Sequence, residues 1–243
     1  MWTATALARE ARPAEGLIWR AVEDQTAAAT RKLVSTSAKQ DLLEQMLEES
    51  KPPVPATAGG LHYLLFSPFR YEAPFPTGSR FRPPGPSAGV FYGSEAVRTA
   101  LAEISHYRLR FFQDSPDTPL PRREERLTVF SVSYASARGI DLTQAPFAAQ
   151  AELWTDPDDY GPTQALAENA RQAGVEVIRY ASVRDPEGGF NVALLEPSAF
   201  AEREPREFQH WSLYLAAEEA DCRRIDGAER WVFTRAALAG GAA

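Results

Sequence analysis

Residues 176–195, EVIRYASVRDPEGGFNVALL, decide the fold class predicted for this chain. Two mainly apolar runs, 176–180 and 191–195, flank the turn-forming tetrapeptide Pro186-Glu187-Gly188-Gly189. Apolar runs of strand length on either side of a segment with Pro and Gly are typical of two β-strands joined by a turn. The stretch therefore predicts a pair of strands at this position.

Further elements are predicted on both sides of this pair. An amphipathic helix is expected over residues 160–173, and Gly174 is its expected C-terminal stop. Three more strands are predicted after the pair, over residues 210–216, 221–225 and 230–234. Strands that occur singly and in hairpins between helices indicate an α+β domain with a largely antiparallel sheet.

The middle of the chain mixes strands, one helix and irregular segments. Strands are predicted over residues 89–92 and 126–135, and Ser94 is expected to cap a helix that runs to about residue 112. Residues 61–69 are apolar and aromatic, which fits either a strand or a buried loop. Residues 72–86 are dense in Pro and Gly and are expected to be irregular.

The first fifty residues are predicted to be helical. Apolar residues recur at helical spacing over residues 18–33 and again over residues 38–49. The proline-rich run at 52–55 ends the second helix, because proline removes an amide donor and disfavours a helical conformation in the preceding residue. We therefore predict an N-terminal helical extension over residues 1–58 and a catalytic domain over residues 59–243.

The composition excludes several classes of protein. Hydrophobic residues make up 44% of the 243 residues, which is ordinary for a globular chain. The net charge of −7 argues against sequence-independent binding to nucleic acid, which needs a basic surface. No apolar run reaches the roughly 20 residues of a membrane-spanning helix, and the N-terminus does not have the pattern of a secretory signal. The single cysteine, Cys222, fits a reducing compartment, so we expect a cytoplasmic protein.

Most familiar catalytic patterns are missing from the sequence. There is no Gly-rich phosphate-binding loop of standard spacing and no G-x-S-x-G motif. His62, His106 and His210 are too scattered to predict a zinc site, so no metal is expected. The remaining candidates lie in residues 71–106 and in residues 179–191.

Two types of charged residue in the first of these regions are candidates. Arg80 and Arg82 lie on a Pro- and Gly-rich loop, and arginine can bind two oxygens of a phosphate group at once. Two arginines alone are more simply explained as solvated loop residues. Glu103 shares a predicted helix face with Ala96, Ala100 and Tyr107, where a carboxylate is either paired in a structural salt bridge or used for function.

The other candidates each have a structural and a functional interpretation. Ser182 stands where a predicted strand enters a turn, a position at which serine often only caps the turn. Tyr71, Phe81, Phe91 and Tyr92 are aromatic residues that either pack in the core or stack on a planar ring such as nicotinamide or adenine.

Taken together, several of these segments resemble the RES domain, a family named for an Arg, a Glu and a Ser. The resemblance extends from about residue 18 to residue 195. The strongest stretches are residues 62–71 (HYLLFSPFRY), 78–82 (GSRFR), 89–95 (GVFYGSE), 99–103 (TALAE) and 178–185 (IRYASVRD).

The resemblance implies a toxin of a bacterial toxin–antitoxin pair with a core similar to that of ADP-ribosyltransferases. Members of the family act on NAD. The ADP-ribose is passed to water, to phosphate or to a target protein. The usual partner is an antitoxin with an Xre-like DNA-binding domain, and the resemblance implies that it covers the active-site cleft.

The resemblance also assigns site residues. The Arg, Glu and Ser of the family correspond to Arg80, Glu103 and Ser182. Many relatives have Arg-Trp-Asn where this chain has Arg80-Phe81-Arg82, so the main phosphate contact is either Arg80 or Arg82. The pair Arg70-Tyr71 and the aromatic Tyr92 match further NAD-binding positions.

These assignments imply a mechanism for cleavage of the nicotinamide–ribose bond. Glu103 would stabilise the positive charge that develops on the ribose, and Arg70 and Arg80 would hold the pyrophosphate. Tyr71 or Tyr92 would stack on nicotinamide, and Ser182 would bind the adjoining ribose or the amide.

Two hypotheses from other classes remain. The first alternative is a non-catalytic interaction module of the same fold, in which Glu103 forms a salt bridge, and the second is a toxin directed at nucleic acid. The acidic net charge weighs against the second hypothesis.

Overall fold

The computed structural model describes residues 2–24, 36–70, 78–85 and 87–240. Tyr71, residues 72–77 and 86 of the predicted irregular segment, and the second half of the predicted helix 18–33 lie outside the described residues. The helices are α1 (Ala4–Glu10), α2 (Ser37–Ser50), α3 (Tyr63–Arg70), α4 (Val97–Asp114), α5 (Ala151–Thr155), α6 (Gly161–Gln172) and α7 (Arg235–Leu238). The strands are β1 (Arg12–Glu23), β2 (Phe91–Ser94), β3 (Glu125–Asp141), β4 (Val177–Ala181), β5 (Phe190–Leu194), β6 (Glu207–Leu215), β7 (Glu219–Arg224) and β8 (Arg230–Thr234).

The strands form one 8-stranded sheet that partly closes on itself. Its order is β1-β2-β5-β4-β3-β6-β7-β8, and β1 also pairs with β3. The first five strands in this order therefore form a barrel-like ring, from which β6, β7 and β8 extend. Among the described strands only β3 and β4 pair in parallel. The prediction of a mixed fold with a largely antiparallel sheet is confirmed.

Apolar side chains from all five strands of the ring meet in its interior. These side chains are Ile18, Phe91, Phe130, Val132, Tyr134, Val177, Val192 and Leu194. Helix α3 adds Leu64, Leu65 and Phe69 to this cluster. Two further clusters lie outside the ring: one packs α1, α5 and α6 against β4 and β5, and the other packs α4 and α7 against β3, β6 and β7.

The prediction of a helix from residue 18 is wrong for the described part of that segment. Residues Arg12–Glu23 form β1, which pairs with β3 from Arg12↔Gly139 to Glu23↔Leu127. Pairing with a distant strand overrides a local pattern that fits a helix. The N-terminal region is therefore not purely helical, and β1 belongs to the same sheet as the rest of the chain. The division after residue 58 stays a prediction.

Two other local predictions are also wrong. Residues 61–69 are predicted as a strand or a buried loop, but most of them belong to helix α3. The buried residues of α3 are Leu64, Leu65, Phe69 and Arg70. Ser94 does not cap α4, because it is the last residue of β2, and Ala96 takes the N-cap position instead.

Most of the remaining predictions are confirmed. Helix α2 covers the predicted residues 38–49, and α6 covers most of residues 160–173. Gly174 follows α6 with φ of +70°, a conformation that favours glycine at a helix end. The predicted pair of strands corresponds to β4 and β5, which pair in antiparallel orientation.

Candidate active site

The carboxylate of Glu103 lies where α4 meets the ends of β4 and β5. Its Oε1 atom accepts a hydrogen bond from Ser182 Oγ at 2.7 Å and another from Asn191 Nδ2 at 2.6 Å. Ser182 directly follows β4, and Asn191 lies within β5. Helix α4 thus brings Glu103 against two polar side chains that are 79 and 88 residues away along the chain.

The hydroxyl group of Ser182 has a fixed direction. The backbone N–H groups of Arg184 and Asp185 donate to its Oγ at 3.2 and 3.1 Å. Because this oxygen already accepts from two amides, its own hydrogen is directed toward Glu103. The turn-capping role of Ser182 and its contact with Glu103 therefore occur together.

The second carboxylate oxygen of Glu103 differs from the first in its hydrogen bonding. Within the described parts of the chain, Oε2 has no hydrogen-bond partner, whereas Oε1 accepts from two donors. The Glu103 side chain is only partly buried. One oxygen is therefore fixed by the protein, and the other can accept a hydrogen bond from a bound molecule.

The turn over residues 182–189 is attached to the first turns of α4. Asp185 accepts a hydrogen bond from Thr99 Oγ1 at 2.8 Å and forms an ion pair with Arg98. Arg98 also pairs with Glu187 at 3.1 Å. These contacts fix Ser182 relative to the helix that carries Glu103.

Arg80 is a buried arginine, with 7% of its surface exposed. Its Nη1 donates to the carbonyl of Trp154 at 2.7 Å, and its Nη2 donates to the carbonyl of Asp156 at 2.9 Å. The guanidinium group lies 4.8 Å from the ring centre of Tyr160. In the described residues Arg80 forms no salt bridge with a carboxylate, and three of its five N–H groups make no hydrogen bond.

Tyr92 holds the loop that carries Arg80. Its hydroxyl group shares a hydrogen bond with Ser79 Oγ at 2.8 Å and accepts the backbone N–H of Phe81 at 3.0 Å. The ring of Phe81 in turn packs edge-on against Tyr180, with the ring centres 4.8 Å apart. Burial raises the pKa of Tyr92, so the hydroxyl group stays protonated and keeps its donor.

Tyr180 lies between the loop that carries Arg80 and the strand that carries Asn191, the partner of Glu103. Burial raises the pKa of Tyr180 well above its ordinary value, and the negative charge of Glu103 raises it further, whereas the positive charge of Arg80 lowers it. The loop that carries Arg80 contacts Tyr180 through Phe81, and Asn191, which binds Glu103, lies opposite Tyr180 in the sheet. Arg80, Tyr92, Glu103 and Ser182 thus belong to one neighbourhood, which we call the candidate site.

Two predicted arginines make other contacts. Arg82 is held by its own loop, because its Nε donates to Ser87 Oγ at 3.1 Å. Arg70 is buried at the end of α3, where it pairs with Glu48 of α2 at 2.7 Å and donates to the carbonyl of Pro52 at 2.5 Å. For the described residues, the contacts of Arg70 join α2 to α3 and do not reach the candidate site.

The predicted surroundings of Glu103 are partly wrong. Ala100 is buried, but Ala96 is exposed and 66% of Tyr107 is exposed, so these residues do not form a buried apolar stripe with Glu103. The carboxylate lies instead at the edge of the buried face of α4. In the described structure it binds the neutral side chains of Ser182 and Asn191, and it is not in a salt bridge.

Asn191 is a site residue that the sequence pattern does not single out. The pattern places it only in a strand, although an amide among buried apolar neighbours needs hydrogen-bond partners. A polar residue inside the apolar run Phe190-Asn191-Val192 is the one sequence signal that points to it.

Among models of known protein families, the model of the RES domain matches residues 54–216, about two thirds of the chain. The chain belongs to the RES domain family. The matched region contains Arg80, Glu103, Ser182 and Asn191, but it does not include β1. RES domain membership confirms the predicted family and is consistent with an enzymatic role that involves NAD.

Two further findings concern this RES domain protein. A search of curated proteins finds no match to the chain. Within residues 2–24, 36–70, 78–85 and 87–240, no helix combines the length and the apolar character needed to cross a membrane.

Proposed function

We propose that this RES domain protein is the toxin of a toxin–antitoxin pair and that it cleaves NAD between nicotinamide and ribose. The supporting observation is the arrangement of Glu103, with Oε1 bound by Ser182 and Asn191 and Oε2 open to a ligand. Arg80, a buried cation that forms no salt bridge in the described chain, adds a site for the pyrophosphate. We further propose that the core is of the ADP-ribosyltransferase type.

The proposed reaction replaces one bond at C1″, the anomeric carbon of the ribose that carries nicotinamide. The electron pair of the C1″–N bond leaves with nicotinamide, which departs as a neutral molecule, and positive charge develops on the ribose. The oxygen of an acceptor then bonds to C1″. If the acceptor is water, the products are ADP-ribose, nicotinamide and a proton. Phosphate or a protein side chain gives ADP-ribose 1″-phosphate or an ADP-ribosylated protein instead.

Glu103 stabilises the transition state in this proposal. An ionised carboxylate beside the ribose stabilises the developing positive charge, as acidic residues do in glycoside cleavage. Its Oε2 accepts a hydrogen bond from a ribose hydroxyl, while Ser182 and Asn191 hold Oε1. No strong general acid is required, because the leaving group is neutral.

The other predicted NAD contacts remain part of the proposal. Arg80 binds the pyrophosphate through the N–H groups that its carbonyl partners leave free. Tyr92 or Tyr71 stacks on the nicotinamide. Arg70 contributes to phosphate binding only after its ion pair with Glu48 opens, and Arg82 offers a guanidinium group on the same loop as Arg80.

The test is product identification by mass spectrometry after the purified protein is incubated with NAD. Parallel samples contain phosphate or cell extract, because these conditions separate the three acceptors. Loss of NAD with release of nicotinamide supports the proposal. Intact NAD that binds without being consumed favours a non-catalytic module.

Substitution of the carboxylate provides the second part of the test. Glu103→Gln removes the charge but keeps the size of the side chain, and we expect a loss of about 100- to 1,000-fold in turnover. Glu168→Gln is the matched control, because it makes the same change on the exposed face of α6. Equal turnover of the Glu103 variant and this control would contradict the proposed role.

A further inference from the structure

We propose that Asn191 is a positioning residue that holds the carboxylate of Glu103 in its reactive orientation. This inference rests on the proposed function, since it assigns Asn191 a role in the same reaction. Asn191 does not touch the substrate in this proposal, and it acts through Glu103 alone.

The position of Asn191 in the sheet makes it rigid. It lies in β5 between two neighbouring strands, opposite Ser94 of β2 on one side and opposite Tyr180 of β4 on the other. Only 2% of its surface is exposed. A side chain held on a central strand and enclosed by the core has little freedom to change its rotamer.

The direction of the Asn191 amide is fixed at both ends. Ser94 Oγ donates to Asn191 Oδ1 at 2.6 Å, and Asn191 Nδ2 donates to Glu103 Oε1 at 2.6 Å. Since a carboxylate oxygen accepts hydrogen bonds, the nitrogen must face Glu103, and the oxygen must face Ser94. Ser94, Asn191 and Glu103 therefore form one oriented chain of hydrogen bonds from β2 to α4.

These hydrogen bonds determine which oxygen of Glu103 is left for the substrate. Ser182 and Asn191 both donate to Oε1, so both lone pairs of that oxygen are occupied. Two donors, one directly after β4 and one in β5, also fix the rotation of the carboxylate plane. As a result Oε2 points in one direction, and it alone accepts a hydrogen bond from the ribose. An error of about 1 Å in such a position costs roughly 100-fold in rate.

The decisive variant is Asn191→Asp, which replaces the donor with an acceptor oxygen of the same size. Two ionised carboxylates at this distance repel each other strongly, so the pair takes up one shared proton as the pH falls. We expect kcat to fall about 100-fold at about pH 8. The loss should be several-fold smaller at about pH 5, where the shared proton restores a donor. KM for NAD should change little.

Gln209→Glu is the matched control. Gln209 is also a buried amide, and it donates to a carboxylate, Glu207, at 3.0 Å while it accepts from Trp211 at 3.1 Å. The change of amide to carboxylate is the same, but it lies outside the candidate site. This variant should lose stability and keep the kcat and the pH profile of the wild type.

A second variant covers the case in which Asn191→Asp does not fold. Ser94→Ala removes the donor that fixes the Asn191 amide and should lower kcat by several-fold with KM unchanged. If either folded variant retains the kcat and pH profile of the wild type, the positioning role is refuted and the proposed function stands. If the wild-type protein consumes no NAD, the proposed function fails, and the inference fails with it.

Discussion

The buried guanidinium group of Arg80 is held by two main-chain carbonyls, Trp154 O and Asp156 O, rather than by an acid. We expect Arg80→Lys to raise the Kd for NAD by roughly 10- to 100-fold, because a lysine has no planar fork and cannot bind both carbonyls and a phosphate. Arg138→Lys is the control, since Arg138 also donates to two carbonyls, those of Ala173 and Gly174, on another part of the surface. Calorimetry with both variants checks this expectation, and equal affinities would assign the phosphate contact to another arginine.

His106 makes stability depend on pH. Burial, together with the positive charges of Arg184 and Arg110, lowers its pKa from 6.5 to about 4. Between these two values the unfolded chain binds more protons than the folded chain, so the stability contributed by neutral His106 is present above 6.5 and is lost as the pH falls toward 4. His106→Gln cannot titrate and should lose less stability than the wild type between about pH 7 and about pH 5. Urea unfolding of both proteins at the two pH values measures the difference, and parallel losses would contradict it.

The candidate site could be predicted in part from single residues. Glu103 and Ser182 belong to short stretches that resemble the family, and the structure brings them into contact at 2.7 Å. Asn191 could not be chosen in this way, because its importance comes from a partner on another element. The ion pair between Arg70 and Glu48 could not be predicted for the same reason, because the sequence around each residue gives no sign of the other.

At the scale of secondary structure, the turn between β4 and β5 depends on close contact with α4. A methyl group at Gly189 would overlap Thr99 Oγ1 and approach Asp185 Oδ2 to 2.7 Å. Gly189→Ala should therefore push the turn away from the helix, lower the free energy of unfolding by about 2 kcal/mol, and reduce NAD turnover because Ser182 moves.

The neighbouring Gly188 provides the comparison. It has φ of +84°, and no atom lies within 4 Å of the position that a Cβ would take there, so Gly188→Ala is strained but does not touch α4. This variant should lose about 1 kcal/mol of stability and keep its turnover. Thermal unfolding and NAD assays on the two variants separate the effects, and equal turnover would show that the turn does not position Ser182.

Elements with strong local signals could be predicted well, whereas elements formed by distant pairing could not. Helix α6 has apolar spacing and a glycine stop, and β4 and β5 are joined by a turn with clear composition. Strand β1 has apolar residues that fit a helix as well, and only its pairing with β3, more than a hundred residues later, makes it a strand. A local pattern cannot encode that choice, because the partner strand supplies the hydrogen bonds.

At the scale of the whole molecule, the proposed consumption of NAD would harm the cell unless the protein is controlled. We expect a partner protein, an antitoxin with an Xre-like domain, to cover the candidate site. An anionic group of that partner, such as a C-terminal carboxylate, would pair with Arg80 or Arg70 in place of phosphate. Buried charge pairs of this kind act mainly on dissociation, so the complex should be long-lived.

Co-expression with the neighbouring open reading frame provides the measurement. The purified complex should show little NAD turnover, and activity should return when the partner is removed. A stable complex with full turnover would mean that control does not work by covering the site.

The ring formed by β1, β2, β5, β4 and β3 also has a consequence for synthesis on the ribosome. Arg80 and Asn191 are 111 residues apart in the sequence, and translation at about 5–20 residues per second separates their emergence by roughly 6–22 s. Until β5 has emerged, the nascent chain has neither a closed ring nor a second donor for Glu103. Ribosome-bound chains that end before residue 190 should therefore leave NAD intact, and turnover by such chains would contradict this order of assembly. We therefore expect NAD turnover to begin only after β5 has been synthesised, late in the production of each molecule.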